Sequence, residues 1–158
     1  MKYKAHPVPK GLHTVTPYLI IRNAASAVEF YKKAFGATEV MRFADPRSGK
    51  IGHAEIKIGD SSIMMADEYP EMQYRSPQTL NGSSVLLQLY VPDVDAVFDQ
   101  AVAAGATVLR PVADQFYGDR SGAVADPFGH LWNIATHKED VSDTELLKRS
   151  VKAFEKKS

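Results

Sequence analysis

The sequence predicts an α+β fold in which two βαβββ modules form a curved half-barrel sheet, followed by a C-terminal helix. Three observations predict it: an internal repeat, a glycine that ends each predicted helix, and a hairpin that closes each copy. Residues 27–38 read AVEFYKKAFGAT and residues 96–107 read AVFDQAVAAGAT, with six of the twelve positions identical. A repeat about 69 residues apart indicates a duplicated supersecondary unit.

The first copy begins with an apolar strand, PYLIIR, and Asn23 as the predicted N-cap of its helix. The helix is predicted to end at Gly36, because a glycine after the last turn accepts a positive φ. A strand, TEVMRF, follows. Two more strands are predicted on either side of the Gly59-Asp60 turn, which completes the module.

The second copy repeats this order. The strand LLQLYV precedes Asp93 as N-cap, and the helix is predicted to end at Gly105. The strand TVLRPV follows, and the turn at residues 127–129 joins the last two strands. Both faces of LLQLYV are apolar, so this strand is predicted to be central in its sheet.

These patterns predict one domain over residues 1–140, with modules at residues 14–67 and 84–137. Residues 141–158 are predicted to form a helix whose apolar stripe docks on the body or on a second chain. The stripe consists of Leu147, Val151 and Phe154.

The composition excludes several classes of partner. Nineteen basic and nineteen acidic residues cancel, which argues against binding nucleic acid or an anionic membrane surface. No apolar run is long enough to span a membrane. The absence of cysteine excludes disulfides and thiolate metal sites, and the simplest expectation is a cytoplasmic protein.

The predicted modules also imply a cavity. Each helix covers one face of its small sheet, which leaves the other face open. Two such sheets side by side would enclose a hollow lined by alternate strand residues, which is a typical site for a small molecule.

The chain resembles the vicinal oxygen chelate superfamily, which contains glyoxalase I, bleomycin resistance proteins and extradiol dioxygenases, and within it the PhnB-like branch. The resemblance is carried by four stretches, which are TPYLIIRNAASAVEFYKKAFGA, GHAEIKIGDSSIMMADE, VDAVFDQAVAAGA and YGDRSGAVADPFGHLWNIATH. It implies a glyoxalase/bleomycin resistance-like fold and a homodimer. It leaves the activity open, because the superfamily includes enzymes and pure binding proteins.

The resemblance also implies a divalent metal held by four His or acidic ligands on the first and last strand of each module. The corresponding residues here are Thr16 or Pro17, Met64, Leu86 or Val85, and Asn133. None is a histidine or a carboxylate, and a dication needs several good donors to leave its hydration shell. We therefore expect no cofactor and no metal at these positions.

His53 and Glu55 lie two residues apart on a predicted strand and share a face, opposite Ala54 and Ile56. They are candidate catalytic residues, with Glu55 as a general base oriented by His53. A relocated metal with His137 or Gln88 as a further ligand is an alternative, and a hydrogen-bonded wall or an interface ion pair is another.

Six residues are candidate ligand contacts on the cavity side or in the loop DQFYGDRSG. In that loop an arginine fork beside aromatic side chains could bind a carboxylate or phosphate, and the alternative, which we favour slightly, is a turn with a local Asp–Arg pair. The candidates are Gln88, Tyr90, Asn133, Met64, Tyr117 and Arg120.

Three functions are compatible with these observations. The first is a small-molecule-binding protein without the metal site, which could sequester a drug or toxin. The second is a metal-dependent lyase, isomerase or dioxygenase of glyoxalase type with a relocated metal. A metal-free acid–base enzyme that uses Glu55 or the loop with Asp119 and Arg120 is a third option. Whether the protein is an enzyme stays open.

Overall fold

The computed structural model describes residues 5–155 and divides the chain into two compact units, one ending at Gly82 and one starting at Ser83. We call them unit 1 and unit 2. Unit 1 contains β1 (Tyr18–Ile21), α1 (Ala24–Phe35), β2 (Thr38–Ala44), β3 (Ile51–Ile58), β4 (Ser61–Asp67), a 3₁₀ turn (Pro70–Met72) and α2 (Pro77–Leu80). Unit 2 contains β5 (Leu86–Tyr90), α3 (Val94–Ala104), β6 (Thr107–Asp114), β7 (Asp119–Ala125), β8 (Leu131–His137) and α4 (Asp143–Glu155).

Each unit forms its own open, mixed, four-stranded sheet. The strand order is β1-β4-β3-β2 in unit 1 and β5-β8-β7-β6 in unit 2. In each sheet one pair of neighbouring strands is parallel, β1 with β4 in unit 1 and β5 with β8 in unit 2, and the other pairs are antiparallel. The predicted α+β class, the two βαβββ modules and the C-terminal helix are confirmed.

The predicted helix ends are also confirmed. The side chain of Asn23 accepts a hydrogen bond from the Ser26 amide, and that of Asp93 accepts one from the Ala96 amide. Gly36 ends α1 with φ 66°, a left-handed conformation that a side chain would strain.

A residue of the last strand ties down each helix as well. In unit 1 the buried Asp67 carboxylate accepts hydrogen bonds from the amides of Ala24, 2.8 Å away, and Ile51, 2.6 Å away. In unit 2 the Thr136 hydroxyl accepts one from the Val94 amide at 2.8 Å. Corresponding positions thus fix each helix to its sheet.

The apolar core of each unit lies between the sheet and its helix. In unit 1 it includes Val28 and Tyr31 of α1 over Ile56 of β3, all of them buried. In unit 2, Phe98 of α3 and Trp132 of β8 are buried. Within residues 5–155, no helix is both long and apolar enough to cross a membrane.

Glu68 anchors the segment that follows β4. It accepts hydrogen bonds from the Ser76 amide at 2.7 Å and from Arg22 Nε at 3.2 Å. Burial would raise the pKa of this carboxyl, but hydrogen bonds from Thr79, Ser76 and Arg22 outweigh it and lower the pKa to about 2. The segment is therefore fixed by a carboxylate that stays charged at neutral pH.

The prediction for β5 was wrong, since β5 is an edge strand of the unit 2 sheet. Apolar residues on both faces indicate contacts above and below a strand. A central strand is instead defined by hydrogen bonds to a neighbouring strand on each side.

The predicted stripe on α4 is exposed. Leu147 is 69% and Val151 57% exposed, and Phe154 is exposed as well. A different side of α4 carries Arg149, which donates to both oxygens of Glu139 at 2.8 and 2.9 Å.

The first and last strand residues of the modules, Tyr18 and Asp67 in unit 1 and Leu86 and His137 in unit 2, lie inside the predicted ranges 14–67 and 84–137. A single domain over residues 1–140, and the half-barrel that two such sheets would form together, stay predictions.

Candidate functional site

Each sheet has one face covered by its helix, α1 or α3, and an opposite face that we call the open face. Because strand side chains alternate, the pairing register identifies one line of residues across the middle of each open face. The unit 1 row is Tyr18, Met64, Glu55 and Met41. The unit 2 row is Gln88, Asn133, Ala123 and Arg110.

A one-residue bulge puts the last member of each row on the open face. In β2, Glu39 pairs with Ile56 and Met41 with Glu55, so Val40 is the extra residue. In β6, Val108 pairs with Val124 and Arg110 with Ala123, so Leu109 is the extra residue. One added residue moves every following side chain to the other face, and without it Arg110 would point toward α3.

The unit 2 row is joined by hydrogen bonds. Asn133 Nδ2 donates to Gln88 Oε1 at 2.7 Å, and Arg110 Nη2 donates to Asn133 Oδ1 at 2.7 Å. Arg110 also donates to the Ser121 hydroxyl at 3.1 Å and to the Ser121 carbonyl oxygen at 3.0 Å. These contacts fix the orientation of three polar side chains in the middle of the open face.

Arg110 carries the only charge in this row and is half-buried. Its acceptors are an amide, a hydroxyl and a carbonyl, and no Asp or Glu among residues 5–155 forms an ion pair with it. A guanidinium has five N–H donors, so this one retains capacity for an added acceptor.

A second polar cluster lies at one end of the same open face. Asp119 is 6% exposed, accepts a hydrogen bond from the Tyr90 hydroxyl at 2.8 Å, and lies 2.7 Å from His137 Nδ1. His137 Nε2 is 2.9 Å from Asp140. The hydrogen bonds to Asp119 and Asp140 raise the pKa of His137. The hydrogen bond to Asp119 also raises the pKa of Tyr90.

In unit 1 the row is mostly apolar around one carboxylate. Glu55 is 8% exposed, whereas Tyr18 and Met41 of the same row are 43% and 40% exposed. Ala54 and Ile56 are fully buried on the opposite face, as the alternation predicted. The predicted proximity of His53 and Glu55 on one face is therefore what the register shows.

His53 interacts with aromatic side chains rather than with Glu55. Its Nδ1 lies 2.9 Å from the Tyr18 hydroxyl, and its ring centroid is 5.6 Å from that of Tyr18 and 6.3 Å from that of Phe43. No hydrogen bond or ion pair joins His53 and Glu55 in the described chain. The role of this pair as base and orienter stays a prediction.

Tyr117 and Arg120 do not join the unit 2 row. Tyr117 packs edge-to-face on Phe116 in the loop before β7, with ring centroids 5.3 Å apart. Arg120 follows Asp119 on β7, so it points to the α3 side, where it donates two 2.8 Å hydrogen bonds to Asp95 and one to Asp114. It lines a surface cavity of about 250 Å³ beside the start of α3.

The residues at the positions implied for a metal do not fit a hard dication. The register places Tyr18 opposite Met64 and Gln88 opposite Asn133, while Thr16, Pro17, Val85 and Leu86 lie outside both rows. A phenol, a thioether and two amides provide no negative charge, and a thioether is a soft ligand. Within residues 5–155, no three His, Asp or Glu side chains are grouped so that they could hold a metal.

Sequence reasoning missed Arg110 and its partner Ser121. The strand TVLRPV contains a single charged residue, which is a signal, but regular alternation from Val108 assigns Arg110 to the covered face. The bulge at Leu109 reverses that assignment, and no residue in the strand indicates that a bulge is present.

A family model described as Glyoxalase/Bleomycin resistance protein/Dioxygenase superfamily matches residues 11–134. An uncharacterised protein of Mycobacterium bovis is 42% identical over 135 residues, which cover 84% of this chain and 88% of the relative.

Solved structures are similar as well. TioX from Micromonospora sp. ML1 has a TM-score of 0.60 and 26% identity, over 82% of this chain and 100% of TioX. A PhnB protein from Bacillus cereus has a TM-score of 0.63 over 78% of this chain and 99% of its own. Its identity is 19%, so this second likeness is one of fold.

Proposed function

The chain belongs to the glyoxalase/bleomycin resistance protein/dioxygenase superfamily, and on this premise we propose that it binds a small organic molecule without the divalent metal of the superfamily's metalloenzymes. The unit 2 row is the proposed contact surface, with Gln88, Asn133 and Arg110 as polar contacts and Tyr90 beside them. Small-molecule sites typically contain a few polar groups held in fixed orientation, and this row supplies such groups. The PhnB-like branch predicted above has a structural neighbour of the same fold.

Arg110 is the observation that carries the proposal. Its guanidinium donates to the Asn133 amide oxygen at 2.7 Å, so that oxygen is already bound to a cation. A metal ion beside Asn133 would not have this oxygen available as a ligand, and the guanidinium would repel the ion at close range. The same guanidinium favours a carboxylate or carbonyl oxygen on an organic ligand.

The enzymatic alternative needs a metal at a new place. Two of its candidate ligands are engaged otherwise, since both ring nitrogens of His137 contact carboxylates and His53 Nδ1 contacts Tyr18. These contacts favour binding over metal-assisted turnover, and sequestration of a drug or toxin is the corresponding role.

Titration with 2-naphthoate, an aromatic carboxylate, tests the proposal. Replacing Arg110 with Met, the residue at the corresponding row position of unit 1, should weaken binding at least tenfold, because a hydrogen bond to a charged group contributes about 1.5–3 kcal/mol. The Arg47→Met variant loses the same charge in an exposed turn of unit 1 and should bind normally. Equal affinity in Arg110→Met and Arg47→Met would contradict the proposal.

Elemental analysis of protein purified without chelators or a histidine tag tests the metal-free part. We expect no transition metal near one equivalent per chain. Near-stoichiometric Zn, Ni, Fe or Mn that disappears in Glu55→Ala would favour the metalloenzyme alternative.

We also propose that the protein is a homodimer that acts in the cytoplasm. The exposed Leu147 and Val151 on α4 support self-association, because an apolar helix stripe in water is a common contact surface between chains. The absence of cysteine is consistent with a reducing compartment.

A further inference from the structure

Glu55 is a buried carboxylate without a counter-charge in the described structure. It is 8% exposed and lies between Met64 on β4 and Met41 on β2. Within residues 5–155, no fully shielded side-chain oxygen or nitrogen lacks a hydrogen-bond partner. The Glu55 oxygens have none, so they must retain access to solvent on the open side of the sheet.

The neighbouring charged groups leave this carboxylate available. Lys57 and His53 are two residues away on the same strand face, about 6–7 Å along the strand. Lys57 is exposed, and His53 contacts Tyr18. Neither forms an ion pair or hydrogen bond with Glu55 among the described contacts.

Two thioethers, Met64 and Met41, flank Glu55 on the neighbouring strands, and aromatic rings lie farther out on the same open face. Tyr18 is 43%, Phe43 63% and Met41 40% exposed on the same open face. Aromatic faces attract cations through their quadrupole, and thioethers are polarizable and adapt to the shape of a ligand. A carboxylate within such a surface is chemically complementary to a positive charge on an apolar molecule.

We propose that the open face of unit 1 binds an organic cation with an aromatic or other flat apolar body, and that Glu55 is its counter-ion. The inference deepens the proposed function and rests on it for the statement that the ligand is a small organic molecule. A diffuse cation such as a quaternary ammonium or a protonated heterocycle suits these side chains better than Mg²⁺ or Zn²⁺, which require several oxygen, nitrogen or thiolate donors.

The proposal explains why a carboxylate is buried here at all. A buried charge without a partner lowers the stability of a fold, and a bound cation offsets that loss. Ligand sites typically contain such residues, although an apolar side chain at the same position would make the fold more stable.

A pair of probes with one ring system separates charge from shape. The cation 2-naphthyltrimethylammonium and the neutral 2-naphthol are titrated into the full chain by calorimetry. We expect the cation to bind at least tenfold more tightly than the neutral probe. Equal affinity for the two would overturn the inference.

The variants assign the effect to Glu55. Glu55→Gln should reduce cation affinity at least tenfold and leave 2-naphthol binding within twofold, whereas Glu71→Gln, an exposed carboxylate in the 3₁₀ turn, should change neither. Phe43→Leu should weaken cation binding severalfold through the lost ring. Unchanged cation affinity in Glu55→Gln would overturn the inference.

The melting temperatures of the ligand-free variants distinguish a ligand-binding role of Glu55 from a purely structural one, because the two roles predict opposite changes. Removing an unpaired buried charge should keep or raise the melting temperature of Glu55→Gln. A clear decrease would identify Glu55 as a structural acceptor and overturn the inference. The proposed function is judged separately, through 2-naphthoate binding by Arg110→Met and through elemental analysis.

Discussion

At the scale of single residues, the buried carboxylates of residues 5–155 divide into those with partners and one without. Asp67 accepts two backbone amides, and Asp126 accepts the Trp132 indole N–H at 3.0 Å. Asp119 lies between Tyr90 and His137. Each of these three stabilises the fold through its hydrogen bonds. Glu55 stands apart, and that contrast is the reason to assign it to a ligand.

The Asp119–His137–Asp140 contact predicts a pH dependence of stability. Because the folded-state pKa of His137 is raised, the protonated ring stabilises the fold below the unfolded pKa, which is near the ordinary 6.5, and this contribution is lost as pH rises through the folded value. The melting temperature of His137→Gln should therefore fall furthest below that of the parent at pH 5.5–6.5 and approach it by pH 9.

His13→Gln is the matched control, because it removes an exposed imidazole that forms no ion pair among the described residues. A melting-temperature difference for His137→Gln that is constant across this pH range would contradict the role of its charge.

At the scale of elements, the packing of α3 on its sheet depends on a glycine in β7. A Cβ added at Gly122 would lie 2.6 Å from the Phe98 ring and 2.9 Å from Val112 Cγ2. Real Cβ atoms do not approach neighbours that closely, so the Phe98 ring, the Val112 side chain or the helix would have to shift. Gly122 therefore allows the close approach of α3 to the middle of the sheet.

We predict that Gly122→Ala lowers the free energy of unfolding by about 1–3 kcal/mol through overpacking. Urea denaturation measures it. Gly52→Ala on β3 is the control, because its nearest neighbour would be the Phe43 carbonyl oxygen at an ordinary 3.8 Å. If the two variants unfold at the same urea concentration, the packing argument is wrong.

Elements whose signals are local could be predicted from the sequence. Asn23 and Gly36 bound α1, Asp93 and Gly105 bound α3, and the turn at Gly59 joins β3 to β4, because capping and positive φ are properties of a few adjacent residues.

Properties that depend on pairing between strands could not be predicted. The edge position of β5 and the bulge at Leu109 are set by hydrogen bonds to residues distant in the sequence. Regular alternation predicted the place of Glu55 on the open face correctly. The bulge breaks that alternation before Arg110, so Arg110 was missed.

At the scale of the whole molecule, the chain is two versions of one unit with different chemistry on corresponding positions. Met41 and Arg110 occupy the same place in their rows, as do Met64 and Asn133. The unit 1 row carries one negative side chain and the unit 2 row one positive side chain, within a chain of net charge zero.

The proposed homodimer gives a prediction at this scale. Sedimentation velocity should show one species of twice the chain mass of 17.4 kDa. Leu147→Ser should shift the equilibrium toward monomer, because it removes exposed apolar surface from α4, whereas Lys152→Ser on the same helix should not. Monomer at every concentration would contradict the proposal.

The bulge shared by β2 and β6 has a consequence for the history of the chain. An irregularity of the backbone at matching places in both halves is what a tandem duplication leaves when the parental segment already contained it. Later point changes could then exchange thioether for guanidinium without reshaping the strand. The ancestral half thus supplied the geometry, and its two descendants acquired opposite charge.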